Sequence, residues 1–159
     1  MSTIKRILLA EDDPRDVELT LAALGEHNLA NEVFVVGDGE EALDFLHRRG
    51  GFSNRPGGNP AVMLLDLRMP KVDGIEVLRQ LRSDHNLCSL PVIILTSSRQ
   101  DRDVVESCRL GINAYVVKPV EFQEFMRAVK SLGLFWAVLN SPVPVRGAPP
   151  PARPPGVPA

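Results

Sequence analysis

Glu11, Asp12 and Asp13 directly follow the apolar run Ile7–Ala10, and Asp66 closes the run that begins at Val62. Thr96 closes Val92–Leu95 and is followed by Ser97 and Ser98; Lys118 follows Tyr115-Val116-Val117. Brought together, three carboxylates, a hydroxyl and an ammonium group define a narrow chemistry. Glu11, Asp12 and Asp66 would repel one another unless a cation sat among them. Hard oxygen donors with no histidine or thiolate select Mg²⁺ (or Mn²⁺), which keeps several waters and takes one or two carboxylates plus phosphate oxygens. A carboxylate fixed at a strand terminus can attack phosphorus in line and form an acyl phosphate. Asp66 is placed to be that nucleophile. Lys118 and the metal would neutralise the phosphoryl oxygens, and the Thr96 hydroxyl would donate a hydrogen bond to one of them.

Taken singly, each residue has an ordinary role. Asp13 before Pro14 reads as a helix cap, Lys118-Pro119 as a turn, and Asp66-Leu67-Arg68-Met69-Pro70 as a loop leaving a strand. What gives them a common role is the set of elements that carries them. The apolar runs Ile4–Ala10, Glu32–Val36, Ala61–Asp66, Pro91–Thr96 and Ala114–Val117 are each of strand length. Three are apolar on consecutive residues, as strands buried on both faces of a parallel sheet must be. Helical periodicity fills the gaps. Asp13 and Pro14 open a first helix with Val17, Leu21 and Leu24 inward. A second spans 39–48 with Ala42, Leu43 and Leu46, and a third 74–83 with Val77, Leu78 and Leu81. The fourth, near 99–110, is more polar, with Val104 and Cys108 as its apolar stripe; the fifth buries Phe122, Phe125, Met126, Val129 and Leu132. Strict alternation predicts an α/β, doubly wound, flavodoxin-like domain: a five-stranded parallel sheet of order 2-1-3-4-5 with helices on both faces. Such sheets bind ligands beyond the carboxyl ends of their strands. The polar residues above stand at four of those ends.

Composition sets the outer limits. A chain of 159 residues, 44% hydrophobic and 24% charged with a formal net charge of -2, suits one soluble domain and lacks the basic surplus expected of a nucleic-acid or membrane-surface binder. No signal peptide or membrane span fits the sequence, so a cytoplasmic location is expected. Cys88 and Cys108 show no paired spacing and read as reduced thiols, buried or half-buried. From Ser141 onward eight of the 14 prolines occur. The organisation expected is a domain over 1–139, including an apolar extension at 132–139, and a proline-rich, disordered tail over 140–159.

The chain resembles response-regulator receiver domains of two-component signalling. The resemblance runs from about Lys5 to Leu132, on Ile7-Leu8-Leu9-Ala10-Glu11-Asp12-Asp13, Leu64-Leu65-Asp66-Leu67-Arg68-Met69-Pro70-Lys71-Val72-Asp73-Gly74, Pro91-Val92-Ile93-Ile94-Leu95-Thr96-Ser97-Ser98 and Gly111-Ile112-Asn113-Ala114-Tyr115-Val116-Val117-Lys118-Pro119. It implies Asp66 as phosphoacceptor and Asp12 as a direct metal ligand. Glu11 would act through water, and the backbone carbonyl of Arg68 would be a further ligand. It also implies Thr96 and Tyr115 as a switch pair, and a cis peptide at Lys118-Pro119. The glycine-rich insertion from Arg48 to Gly58, the Arg82-Ser83-Asp84 stretch and Leu134-Phe135-Trp136 are similar to the small response regulators that partner bacterial phytochromes. That implies a phytochrome-type sensor histidine kinase as phosphodonor. The protein itself would be no enzyme beyond its own phosphotransfer and autodephosphorylation.

Two features depart from the common pattern. Arg68 lies two residues beyond Asp66 and Ser98 two beyond Thr96, positions expected to modulate acyl-phosphate lifetime; Arg68 could pair with the acidic cluster or fend off the hydrolytic water. The uncharged run Leu132–Leu139 predicts a two-fold homodimer through the helix 4/strand 5/helix 5 face and the extension, with Phe135 and Trp136 at its interface. An aspartyl-phosphate phosphatase of the haloacid-dehalogenase type is disfavoured, because it needs an aspartate where Arg68 stands. A phosphorylation-independent receiver-like interaction module would be expected to lack Asp66, Lys118 or the acidic pair, and all are present.

Overall fold

Continuous apolarity in the first, third and fourth strands has its explanation in two covered faces. The computed structural model describes residues 6–55, 58–107, 109–112, 114–134 and 137–138. Within them β1 (Ile7–Ala10), β2 (Val33–Val36), β3 (Val62–Asp66), β4 (Val92–Thr96) and β5 (Tyr115–Val117) form one sheet of order β2-β1-β3-β4-β5. All four strand pairings are parallel. Every residue of β1, β3 and β4 is buried. Helices α1 (Pro14–Gly25), α2 (Gly39–His47), α3 (Gly74–Ser83), α4 (Arg99–Ser107) and α5 (Phe122–Ser131) alternate with the strands. This is the doubly wound architecture and strand order that the sequence predicts.

The sheet divides the interior in two. Leu8, Met63, Leu65 and Ile94 point to one side and pack with α2 and α3 residues such as Leu43, Phe45, Val77 and Leu81. Ile7, Leu9, Leu64 and Ile93 point to the other and pack with Leu24 of α1 and Phe125 and Val129 of α5. The alternation of side chains along each strand produces this division.

Local capping fixes where the helices begin. The Asp13 carboxylate accepts a hydrogen bond from the Arg15 amide at 2.8 Å, with Pro14 at the first helical position. Asp38 accepts from the Glu41 amide at 2.7 Å and Asp73 from the Glu76 amide at 2.9 Å. Each cap satisfies an amide that the helix itself leaves without a partner.

Three expectations need correction. On α4 the inward apolar residue is Val105, 1% exposed, whereas Val104 is 49% exposed. Asp101 is also buried there, and the face that turns inward is set by the i, i+4 pair Asp101 and Val105. Cys108 lies outside the described residues. Cys88 is an exposed free thiol, because it falls in the turn between α3 and β4. The extension after α5 is partly internal: Val138 is fully buried in the α1/α5 core, Leu134 packs on it, and Arg6 donates to the Val138 carbonyl at 3.3 Å. Phe135, Trp136 and the tail from 139 onward lie outside the described residues. Among the described residues, no helix is long and apolar enough to cross a membrane.

Candidate phosphoacceptor and metal site

The parallel sheet brings the ends of β1, β3, β4 and β5 to one edge. Ala10 is level with Leu65, and Asp66 with Leu95, so Glu11 and Asp66 emerge together. Gly74 allows α3 to start directly against this edge. A Cβ there would lie 2.5 Å from the Asp66 carbonyl oxygen and 2.6 Å from the Leu67 Cα. Backbone cannot yield to a methyl group at that range, so glycine lets the helix close in.

Carboxylate oxygens of Glu11, Asp12 and Asp66 lie within 4.8 Å of one another. Glu11 is 1% exposed and Asp66 7%, while Asp12 is open to solvent. The donor set is all oxygen, it faces solvent on one side, and it carries more carboxylates than a dry edge tolerates. That fits a hard divalent cation. The structure thus brings together the three carboxylates that the sequence sets at the ends of the first and third strands.

Lys118 reaches the same place from β5. Its ammonium lies 2.8 Å from Asp66 Oδ2, 3.1 and 3.3 Å from the Glu11 oxygens, and 3.0 Å from Asp16 Oδ2. The Lys118-Pro119 peptide is cis, as the resemblance implies. Asp16, in the first turn of α1, is the residue that sequence reasoning misses. Its neighbours read as an amphipathic helix, and nothing local marks it as pointing towards a residue from the last strand.

The proton affinities follow from this crowding. Burial raises Glu11 to about 9, helped by its hydrogen bond to Asp66 and by the Asp66 charge. Burial alone would raise Asp66 as well. Hydrogen bonds from Glu11, Lys118 and the Arg68 amide outweigh it and hold Asp66 below its ordinary value. For Lys118, burial acts to lower the value, but the hydrogen bonds to Asp66 and Asp16 prevail and raise it. The Asp16 carboxylate is lowered, first by its bond from Lys118. A proton on Glu11, shared towards an ionised Asp66, is therefore the favoured arrangement without a metal.

The remaining expected residues divide. The Thr96 hydroxyl is buried and has no hydrogen-bond partner among the described residues. An orphan hydroxyl is costly and rare, and a ligand oxygen at this edge would satisfy it. Tyr115 shares its face of the sheet with Thr96, since Thr96 is level with Val117. Its hydroxyl lies 3.4 Å from the Ile112 carbonyl and its ring packs on the α2/α3 core. Ser98 accepts from the Asp101 amide at 3.4 Å, so it helps to start α4.

The Arg68 amide donates to Asp66 Oδ1 at 3.1 Å. Its guanidinium does not join the acidic cluster. It pairs with Asp101 Oδ1 at 3.2 Å and is 76% exposed. Asp101 also accepts from the Ser97 amide and hydroxyl, at 3.3 and 3.4 Å. An arginine two residues after Asp66 thus reaches α4 and, through Asp101, the Ser97 that follows Thr96.

A site of this form has known counterparts. The response regulator receiver domain family matches residues 7–130. The chain belongs to that family. Among curated receivers it is 35% identical to the response regulator Rcp1 of Synechocystis sp., over 83% of this chain and 88% of that one. Among solved structures, the bacteriophytochrome response regulator AtBRR superposes with a TM-score of 0.81 at 57% identity, covering 87% of this chain and 99% of that one. The Mn²⁺-bound form of Rcp1 gives a TM-score of 0.65 at 33% identity, over 87% and 98% of the two chains. A receiver that carries these side chains at its strand ends has what the phosphoryl-accepting role of the family requires.

Proposed function

We propose that this receiver takes a phosphoryl group onto Asp66 from a sensor histidine kinase, in a Mg²⁺-dependent reaction in the cytoplasm. The observation that carries the reading is the Lys118 ammonium 2.8 Å from an Asp66 carboxylate that also shares the oxygen cluster with Glu11 and Asp12. Asp12 and Asp66 would hold the cation with the Arg68 carbonyl, and Glu11 would hold it through water. When bound, the cation supplies positive charge for phosphoryl oxygens. An Asp66 oxygen forms a bond to phosphorus as the phosphorus–nitrogen bond of the donor histidine breaks. Lys118 neutralises one phosphoryl oxygen and the orphan Thr96 hydroxyl donates to another. Moving Thr96 towards the phosphoryl group leaves room behind it for Tyr115, and that exchange is the readout. Water later attacks the acyl phosphate, at a rate modulated by Arg68 and Ser98.

Two relatives with solved structures are named as bacteriophytochrome response regulators, with 57% and 60% identity. They support a bacterial phytochrome as the partner kinase. A homodimer through α4, β5 and α5 is supported by Val104 and Val117, which are 49% and 62% exposed on that face. The test is phosphotransfer. Wild type incubated with acetyl phosphate and Mg²⁺ should gain one phosphoryl group by intact mass, and Asp66→Asn should gain none. A gain in Asp66→Asn would overturn the assignment, and profiling against candidate kinases would do the same for the partner.

A further inference from the structure

We propose that Asp16 is a positioning residue for Lys118: it keeps the ammonium beside the site when a divalent cation takes over Glu11, Asp12 and Asp66. The inference rests on the metal and phosphoacceptor roles argued above. Lys118 contacts three carboxylates, those of Glu11, Asp16 and Asp66, all within about 3.3 Å. Two of these, Glu11 and Asp66, also belong to the oxygen cluster that fits a metal; Asp16 does not. A divalent cation in the cluster would compete with Lys118 for Glu11 and Asp66 and repel its charge at short range. Lys118 is nonetheless needed there, because the phosphoryl oxygens must meet it.

Asp16 resolves the conflict. It is the one carboxylate of the three that the cation leaves to Lys118. Its backbone is fixed in the first turn of α1, behind the Asp13 cap and Pro14. A carboxylate in that turn is also favoured by the helix dipole. With a side chain 29% exposed, it keeps its charge, and it can be replaced without opening the core.

The test is a double-mutant cycle read by calorimetric Mn²⁺ binding. Asp16→Asn should weaken binding about three- to tenfold, because Lys118 then settles on Glu11 and Asp66 and competes with the metal. In a Lys118→Met background the same change should cost less than about twofold. A Lys118→Gln background repeats the cycle without an added apolar side chain. At saturating metal, phosphorylation by acetyl phosphate should slow in Asp16→Asn and recover in part in Asp16→Glu. Equal weakening in both lysine backgrounds would reduce Asp16 to a general charge effect and overturn the proposal, as would no weakening in either. Failure of the underlying reading looks different: Asp66→Asn would then bind Mn²⁺ as well as the wild type does.

Discussion

Arg82 and Lys118 are both partly buried cations of this receiver, and their partners differ in kind. Arg82, near the end of α3, donates to the carbonyls of Leu110, Cys88 and Leu90 at 3.2, 3.1 and 3.0 Å. Lys118 gathers the carboxylates of Glu11, Asp16 and Asp66. Arg55 repeats the Arg82 pattern in the insertion: its Nε donates to the Phe45 carbonyl at 2.6 Å, and its guanidinium lies 4.3 Å from the centre of the Phe45 ring. Phe45 in turn stacks on Phe34, and Phe52 meets both rings edge-on. The carbonyls that hold Arg82 lie away from the acidic cluster, so this clamp does not change when the cluster gains or loses a cation. Carboxylates can trade an ammonium for a metal ion. The first arrangement serves stability; the second is one that a divalent cation would remodel.

The sharpest way to break that contrast is to remove a clamp. Arg82→Ala leaves three carbonyls without this donor, two between α3 and β4 and one after α4, and should lower unfolding free energy by about 2–3 kcal/mol in urea titrations. Arg82→Lys should restore little, since an ammonium cannot reproduce the planar fork. Acyl-phosphate lifetime should stay within about twofold of wild type. A large change in lifetime with unchanged stability would show that Arg82 belongs to the responsive region after all.

A second test uses protons. Glu11 is held near 9 against an ordinary 4.5, so the native state binds its proton more tightly than the unfolded chain does. Its contribution to metal-free stability is therefore full below pH 4.5 and is lost progressively as pH rises towards 9. Asp66 and Asp16 are shifted down and stay ionised through this window, while Lys118 is shifted up and stays charged. Metal binding favours the ionised form of Glu11 and must expel that proton. Affinity for Mn²⁺ should thus rise with pH between 6 and 8, by up to about tenfold per unit. A flat profile across that range would mean that Glu11 is not protonated in the metal-free site.

The strand ends were legible because two signals coincide there: a run apolar on every residue, then an abrupt acid, hydroxyl or lysine. Asp66, Thr96 and Lys118 each follow that rule, and a parallel sheet then forces them to one edge. Asp16 and Asp101 carry no such signal. Both lie inside helical segments where an acid ordinarily means a solvated face, and their partners are distant in the chain: Lys118 for one, Arg68 for the other. On α4 the stripe expected on Val104 and Cys108 gives way to Asp101 and Val105, because a buried acid carries no apolar signal to mark the inward face. Cys88 went the same way, since a turn residue shows no periodicity from which exposure can be read.

Arg68 and Asp101 fall between the two kinds of cation site, and the smallest effect is expected from them. The guanidinium is 76% exposed, so the pair should add less than about 1 kcal/mol to stability. Its other end is different: Asp101 is buried and also receives the Ser97 amide and hydroxyl, next to Thr96. The pair therefore ties the loop after Asp66 to α4 and, through Asp101, to Ser97 after Thr96. Arg68→Asn should shorten acyl-phosphate lifetime about two- to fivefold with little change in unfolding free energy. If Arg68 acts by being held on Asp101, then Asp101→Asn should shorten it similarly and the double variant should add nothing further. Additive effects would mean that the guanidinium works alone, as a charge near the site; equal rates in wild type and Arg68→Asn would remove it from the chemistry altogether.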